Sequence, residues 1–111
     1  KDNLKKHDLL TNIFPRTYPK GQSIEIINSK TYKDYFLSFK KKNHKEHVTT
    51  YFYDNFKKFK MYKLKNNVNQ SNINLSIDTI EDFDKMKKLI FYSKSKAISY
   101  KSLLNNYKKL F

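Results

Sequence analysis

The chain has no cysteine and no tryptophan, and in 111 residues only one glycine, one arginine (Arg16), one alanine (Ala97) and two prolines. Without cysteine there is no disulfide framework, no thiolate zinc site and no cysteine nucleophile. A single glycine cannot build a glycine-rich phosphate cradle, and neither a P-loop nor a GxGxxG fingerprint occurs. No run of about 18 apolar residues is present, so no segment reads as a transmembrane helix. No basic-then-apolar leader is visible, so no signal peptide is expected. The first residue is Lys1 rather than methionine, which leads us to expect a piece of a longer protein.

What is abundant is positive charge. Against 10 acidic residues stand 24 Lys+Arg, giving a formal charge of +14. Surfaces shaped for phosphate recruit arginine, whose planar fork grips oxyanions bidentately, yet almost every cation here is lysine. Lys, Asn, Ile, Phe and Tyr share AT-rich codons, and the chain is heavy in all five. The charge therefore reads as a solvated lysine surface, with neither a specific nucleic acid nor a membrane as partner. The competing reading is a non-catalytic basic module that binds nucleic acid or an anionic surface through counterion release. With 38% hydrophobic and 16% aromatic residues the composition is that of a folded domain.

Along the chain, Lys1–Lys6 is polar, and Leu9, Leu10 and Ile13 read as a short buried strand. Tyr18-Pro19-Lys20-Gly21 has proline second and glycine fourth, a type I turn pattern. Ser23–Asn28 predicts a strand with Ile24 and Ile26 on one face and Ser23, Glu25 and Ile27 on the other. Tyr32, Tyr35, Phe36 and Phe39 predict an amphipathic helix from Lys30 to about Lys41, broken by the lysine-rich Lys40–Lys45. Val48, Tyr51 and Phe52 mark a second helix ending near Asn55, and Phe59–Lys65 an exposed strand. Asn66–Asn72 reads as a polar loop. The strict alternation of Ile73, Leu75 and Ile77 with Asn74, Ser76 and Asp78 predicts an interior strand. It leads into a helix carrying Ile80, Phe83, Met86, Leu89 and Ile90 on one side. A polar connector, Ser93–Lys96, precedes a last helix with Tyr100, Leu103, Leu104 and Tyr107 on one face. Interleaved strands and helices make the class α/β.

Three local groups could carry chemistry. Ser76–Asp82 lies at the carboxyl end of the predicted interior strand, where ligands gather in open α/β sheets. Asp78 or Thr79 caps the following helix there, with Glu81 or Asp82 closing a capping box. A carboxylate at that place also suits Mg²⁺ held against nucleotide phosphates. In His44-Lys45-Glu46-His47-Val48-Thr49 the two histidines are three apart. No third ligand accompanies them, so zinc is not expected. In Pro19–Glu25, the carboxylate of Glu25 faces away from Ile24 and Ile26, and its plain reading is a solvent-facing side chain.

Taken in order, Pro19-x-Gly21-x-x-Ile24-Glu25, Glu46-His47-Val48-Thr49 and Ile77-Asp78-Thr79-x-Glu81-Asp82 resemble the cytidylyltransferase family. Within it the likeness is to the branch of CMP-sugar-acid synthetases and spore-coat polysaccharide cytidylyltransferases. It extends from about Asp8 to Ile90, includes Thr11-Asn12, and concerns the C-terminal half of that family. Many relatives carry Asp where Ser23 stands and Arg where Lys45 stands.

The resemblance implies the C-terminal half of a Rossmann-like, glycosyltransferase-A-like nucleotidyltransferase sheet with flanking helices. It places the cytidylyltransferase part in residues 1–92, with 93–111 as connector and amphipathic C-terminal helix. It implies a cytoplasmic enzyme that converts CTP and a sugar or sugar acid into CMP-sugar and pyrophosphate for surface polysaccharide synthesis, with Mg²⁺ as cofactor and a homodimer as its assembly. Asp78 takes the metal-ligand role. Lys20, Gly21, Glu25 and His47 line the substrate side, with His47 a candidate general base and no residue fixed as catalytic. The family's CTP-holding loop and second metal aspartate belong to the half not present, so this chain alone is expected to be inactive. The Glu25 strand, the Lys20-Gly21 turn, the Glu46-His47 helix start and Asp78 are expected at one rim of the sheet.

Overall fold

The computed structural model describes residues 5–93 and 98–111. Residues 1–4 of the polar opening, and the expected connector beyond Ser93, lie outside the described residues. The chain divides into two compact units, Lys1–Asn74 and Leu75–Phe111.

The first unit is built around a strand of only three residues. β1 (Leu9–Thr11) is the centre of a sheet of order β2-β1-β3, with β2 at Glu25–Ile27 and β3 at Met61–Lys63. β1 runs antiparallel to β2, setting Leu9 opposite Ile27 and Thr11 opposite Glu25. It runs parallel to β3, setting Leu9 opposite Met61 and Thr11 opposite Lys63. A parallel neighbour requires a long crossover. Three short helices supply it: α1 (Ser29–Tyr35), α2 (Lys42–Glu46) and α3 (Thr50–Asp54). Leu9, Tyr51, Phe52 and Phe59 form the core, with Ile27, Tyr35, Phe39, Tyr53 and Met61 packed on it. Its aromatic rings meet edge-on, Phe52 to Phe59 at 4.9 Å and Tyr35 to Phe59 at 5.0 Å. Such pairs contribute about 0.5–1.5 kcal/mol each beyond the area they bury.

Side chains lengthen what the short strands begin. At the start of β1, Asp8 Oδ2 accepts from Lys60 N at 2.8 Å, and Asp8 Oδ1 accepts from Thr31 Oγ1 at 2.7 Å, tying α1 and the entry to β3 together. α1 itself is capped by Asn28, whose Oδ1 accepts from Lys30 N at 2.9 Å and Thr31 N at 3.4 Å.

Several expectations are revised. The lysine-rich segment expected to break the helix forms α2 instead, because lysine is a good helix former and burial of His44, 4% exposed, fastens the turn to the core. Glu46 accordingly ends α2 rather than opening the next helix, and α1 stops at Tyr35, followed by a single 3-10 turn, Phe36–Ser38. The glycine turn is one residue later than expected. Gln22 N donates to Pro19 O at 3.2 Å, which puts Gly21 third with φ 88°. A positive φ at that position is the type II geometry, and it needs glycine. The alternating segment Ile73–Ile77 is not a strand. Ile73 and Leu75 are buried, but the pairing stops at one bridge, Lys20 with Asn74, and Ile77 is 52% exposed. Alternation reports which side chains are covered; it does not guarantee a partner for the backbone.

The second unit holds α4 (Ile80–Ser93) and α5 (Tyr100–Leu110). Ser99 caps α5, accepting from Ser102 N at 3.2 Å, and Asn106 Nδ2 donates to Ser93 Oγ at 2.9 Å across the pair. Leu89 and Leu104 are buried. The rest of the expected apolar stripe is not: Ile80, Phe83 and Ile90 are exposed. None of the described helices is long and apolar enough to cross a membrane.

Candidate functional site

The polar groups of the first unit gather at the far end of β1. Asn12, 3% exposed, follows the strand and grips the loop that leads to β2. Its Nδ2 donates to Gln22 O at 2.7 Å, and its Oδ1 accepts from Ile24 N at 2.8 Å. With the Gly21 turn behind it, this clamp delivers Glu25 to the sheet. Arg16 fastens the same loop from outside, Nη1 to Pro19 O at 3.4 Å and Nη2 to Ser23 Oγ at 3.0 Å.

Glu25 shares the inward side of β2 with Ile27, while Ile24 and Ile26 are exposed. The expected alternation is present, but the carboxylate is on the covered face. Tyr53, from α3, donates its hydroxyl to Glu25 Oε2 at 2.5 Å. That hydroxyl also lies 2.7 Å from Thr11 Oγ1, which accepts from Ile13 N at 3.2 Å. Because Tyr53 gives its proton to the carboxylate, Thr11 is the donor to Tyr53, and the bonds run one way from Ile13 to Glu25. Burial first, and then the bond to Glu25, push the Tyr53 phenol well above its ordinary range, while Thr11 and Arg16 oppose the shift. Tyr53 therefore keeps its proton at neutral pH. Its ring stacks on Phe14 at 4.9 Å, and Lys63 Nζ lies 5.0 Å over the other ring of that pair.

The two histidines separate. His44 is buried, with Nε2 2.8 Å from Asp54 Oδ2 and Nδ1 without a partner among the described residues. His47 is exposed and closes α2, its N donating to Asn43 O and its O accepting from Thr50 N, both at 2.9 Å. α3 thus begins just after His47 and carries Tyr53, the residue that holds Glu25. Lys20 is exposed, and its backbone N donates to Ile73 O at 2.9 Å.

Asp78 stands in the second unit, before α4. The capping box forms from its neighbours. Asp82 N donates to Thr79 Oγ1 at 3.2 Å, and Asp82 Oδ2 accepts from Thr79 N at 3.1 Å and from Asp78 N at 3.2 Å. These bonds, that from Asp78 N foremost, lower the Asp82 carboxyl from its usual range. The Asp78 carboxylate takes no part in the cap. It is exposed and accepts from Ser76 Oγ at 2.8 Å. Among the described residues no group of three or more His, Cys, Asp or Glu is placed to hold a metal.

Sequence reasoning did not single out Tyr53. Its signal was present: it falls outside the Val48, Tyr51, Phe52 stripe, so its ring is half-buried and its hydroxyl needs a partner.

No family model and no curated protein matches the chain. A solved structure does: a cytidylyltransferase from Leptospira borgpetersenii serovar Hardjo-bovis (strain JB197), 34% identical, with a TM-score of 0.90 over 98% of this chain and 46% of that one. The three-stranded sheet with flanking helices is thus a fold found in a cytidylyltransferase, and the chain spans just under half that protein's length.

Proposed function

We propose that the chain is part of a cytidylyltransferase that joins CTP to a sugar or sugar acid, giving CMP-sugar and pyrophosphate for surface polysaccharide synthesis in the cytoplasm. The observation that carries this is the likeness to the Leptospira cytidylyltransferase, 34% identity with a TM-score of 0.90 over 98% of the chain. In the reaction an acceptor hydroxyl attacks the α-phosphate, a new P–O bond forms, and the bond to the leaving pyrophosphate breaks. The protein's share is positioning. Glu25 and His47 line the acceptor side, with the Lys20-Gly21 turn as neighbour, and Tyr53 fixes the direction of the Glu25 carboxylate.

Mg²⁺ takes hard oxygen ligands, one or two carboxylates besides substrate phosphates. An exposed Asp78 carboxylate left free of the cap fits that donor role. Once bound, the ion would neutralise charge on the phosphate oxygens. We take the complete enzyme to be a homodimer with no specific nucleic acid and no membrane partner. With one glycine and no second carboxylate beside Asp78 assigned to the metal, this chain alone is expected not to turn over.

The test is pyrophosphate release from CTP, with Mg²⁺ and a panel of sugars and sugar acids. It is run on the 111-residue chain and on the reading frame continued upstream of Lys1. Turnover by the longer protein alone, lost on Asp78→Ala, is expected. Turnover by the short chain refutes the division of labour, and none by either refutes the assignment.

A further inference from the structure

Two local choices around α3 are unfavourable on their own, and one contact accounts for both. α3 takes no side-chain cap at Thr49 and has no basic residue in its last turn. A helix of five residues does not hold its own direction in water. Its last residue is Asp54, a carboxylate at the end where unpaired carbonyls already gather negative charge. Facing it, α2 buries His44 against two rings, edge-on to Tyr51 at 5.3 Å and to Phe39 at 6.4 Å. The Nδ1 of this buried imidazole has no partner among the described residues, which is a net loss for a polar atom kept from water. The bond that links the two, His44 Nε2 to Asp54 Oδ2 at 2.8 Å, offsets both. A carboxylate only accepts, so in the neutral ring Nε2 is the donor and Nδ1 is the nitrogen left bare. Next to Asp54 in the chain is Tyr53, whose hydroxyl reaches Glu25 from 28 residues away.

We propose that His44 and Asp54 are positioning residues for Glu25: the pair fastens the C-terminal end of α3 to α2 and so aims the Tyr53 hydroxyl at the Glu25 carboxylate. This rests on the reading of Glu25 as an acceptor-side residue and goes beyond it by naming what aims the carboxylate. The near end of α3 is tied through the backbone, Thr50 N to His47 O at 2.9 Å. Tyr51 and Phe52 belong to the core, but apolar burial is non-directional and does not by itself fix rotation about the helix axis. Asn55 Nδ2 donates to Tyr51 O within the same turn and adds no anchor from outside. The His44 bond is directional, comes from another element and falls beside Tyr53. Phe14 and Thr11 hold the Tyr53 side chain at its sheet end, and the His44 bond holds it at its backbone end. Freed at the backbone, the phenol leaves hydrogen-bond range after a small rotation of α3. Glu25 then loses the donor that sets its direction.

The experiment follows two NMR signals of the folded 111-residue chain, the Tyr53 hydroxyl proton and the labelled Glu25 carboxyl carbon. Asp54→Ala removes the acceptor from a side chain that is 42% exposed, and is expected to lose the bonded hydroxyl signal and shift the Glu25 carbon. Asp54→Asn still offers His44 an oxygen and should restore both signals. Thr31→Val is the control for stability alone. It breaks the bond to Asp8 in the same unit, lowers the melting temperature, and should leave both signals in place. Unchanged signals in Asp54→Ala overturn the proposal. Should that chain not fold, His44→Gln decides, because it keeps an amide donor for Asp54 and removes the ring. Persistence of both signals there supports the bond as the device, and their loss assigns the aim to ring packing and overturns it. In the protein continued upstream of Lys1, Asp54→Ala should raise KM for the acceptor about tenfold, the effect of losing one charge-assisted bond, with KM for CTP unchanged. Equal rises in both overturn the role at Glu25. No turnover by the extended wild type refutes the enzyme assignment alone, and the two NMR signals still decide what aims Tyr53.

Discussion

Replacing Asn12 by alanine tests whether one buried amide really sets the loop that presents Glu25. The side chain is 3% exposed and makes two good bonds, 2.7 Å to Gln22 O and 2.8 Å from Ile24 N. Each is worth about 1 kcal/mol net, and a partner left dry costs about 1–3 kcal/mol. Gln22 and Ile24 are exposed, so water can reach the abandoned groups, which places the loss at about 2–3 kcal/mol. For a unit of this size that lowers Tm by roughly 10–20 °C. Asn12→Asp retains the acceptor for Ile24 N but turns an oxygen toward the Gln22 carbonyl, and is expected to cost no less than alanine. Urea unfolding followed by tyrosine fluorescence and thermal melts by circular dichroism read both variants. An Asn12→Ala loss below about 0.5 kcal/mol, the range of ordinary surface changes, would refute the clamp.

The raised Tyr53 phenol has a consequence at high pH. The folded chain keeps a proton that the unfolded chain loses near pH ~10, so this stabilisation is complete below that value and is lost as pH climbs through the higher folded one. Stability against pH above ~10 should therefore fall more steeply in wild type than in Tyr53→Phe, and equal slopes would refute it. At the start of α4, Thr79→Ala should cost about 1 kcal/mol as a lost cap. Asp78→Asn should leave the melting temperature almost unchanged, since Asp78 contributes only its backbone N to the box. If the two variants prove equally destabilising, the division between cap and free carboxylate is wrong.

Much of the fold was legible where burial and backbone pairing coincide. Leu9 and Leu10 sit in β1, Tyr51 and Phe52 in α3, and Leu103 and Leu104 in α5, and in each the apolar pattern marks an element that forms. The failures are cases where the two come apart. Ile73 and Leu75 are covered like strand residues but lack a ladder, because pairing partners lie far along the chain and leave no local trace. α2 was hidden for the opposite reason: its lysines carry helix propensity, while the one residue that anchors it, His44, does not look apolar. At the site, the glycine turn and Glu25 were visible as residues but not as contacts. The face of β2 that is covered depends on Tyr53, 28 residues away, and no two-residue alternation can say which of its faces will meet a hydroxyl.

The position of β1 at the centre of the sheet has a consequence for synthesis. Its parallel neighbour β3 is entered at Lys60, 52 residues after Asp8. A ribosome adding about 5–20 residues per second needs roughly 3–10 s to cover that distance. β2 arrives earlier and can pair with one side of β1, but the other edge stays open for those seconds, with Leu9 uncovered. An unpaired apolar edge is a template for another chain. A chain this rich in lysine along its first 60 residues resists that encounter, because two emerging copies repel each other. The surface lysines would then act before the fold exists, keeping the half-made sheet to itself until β3 closes it.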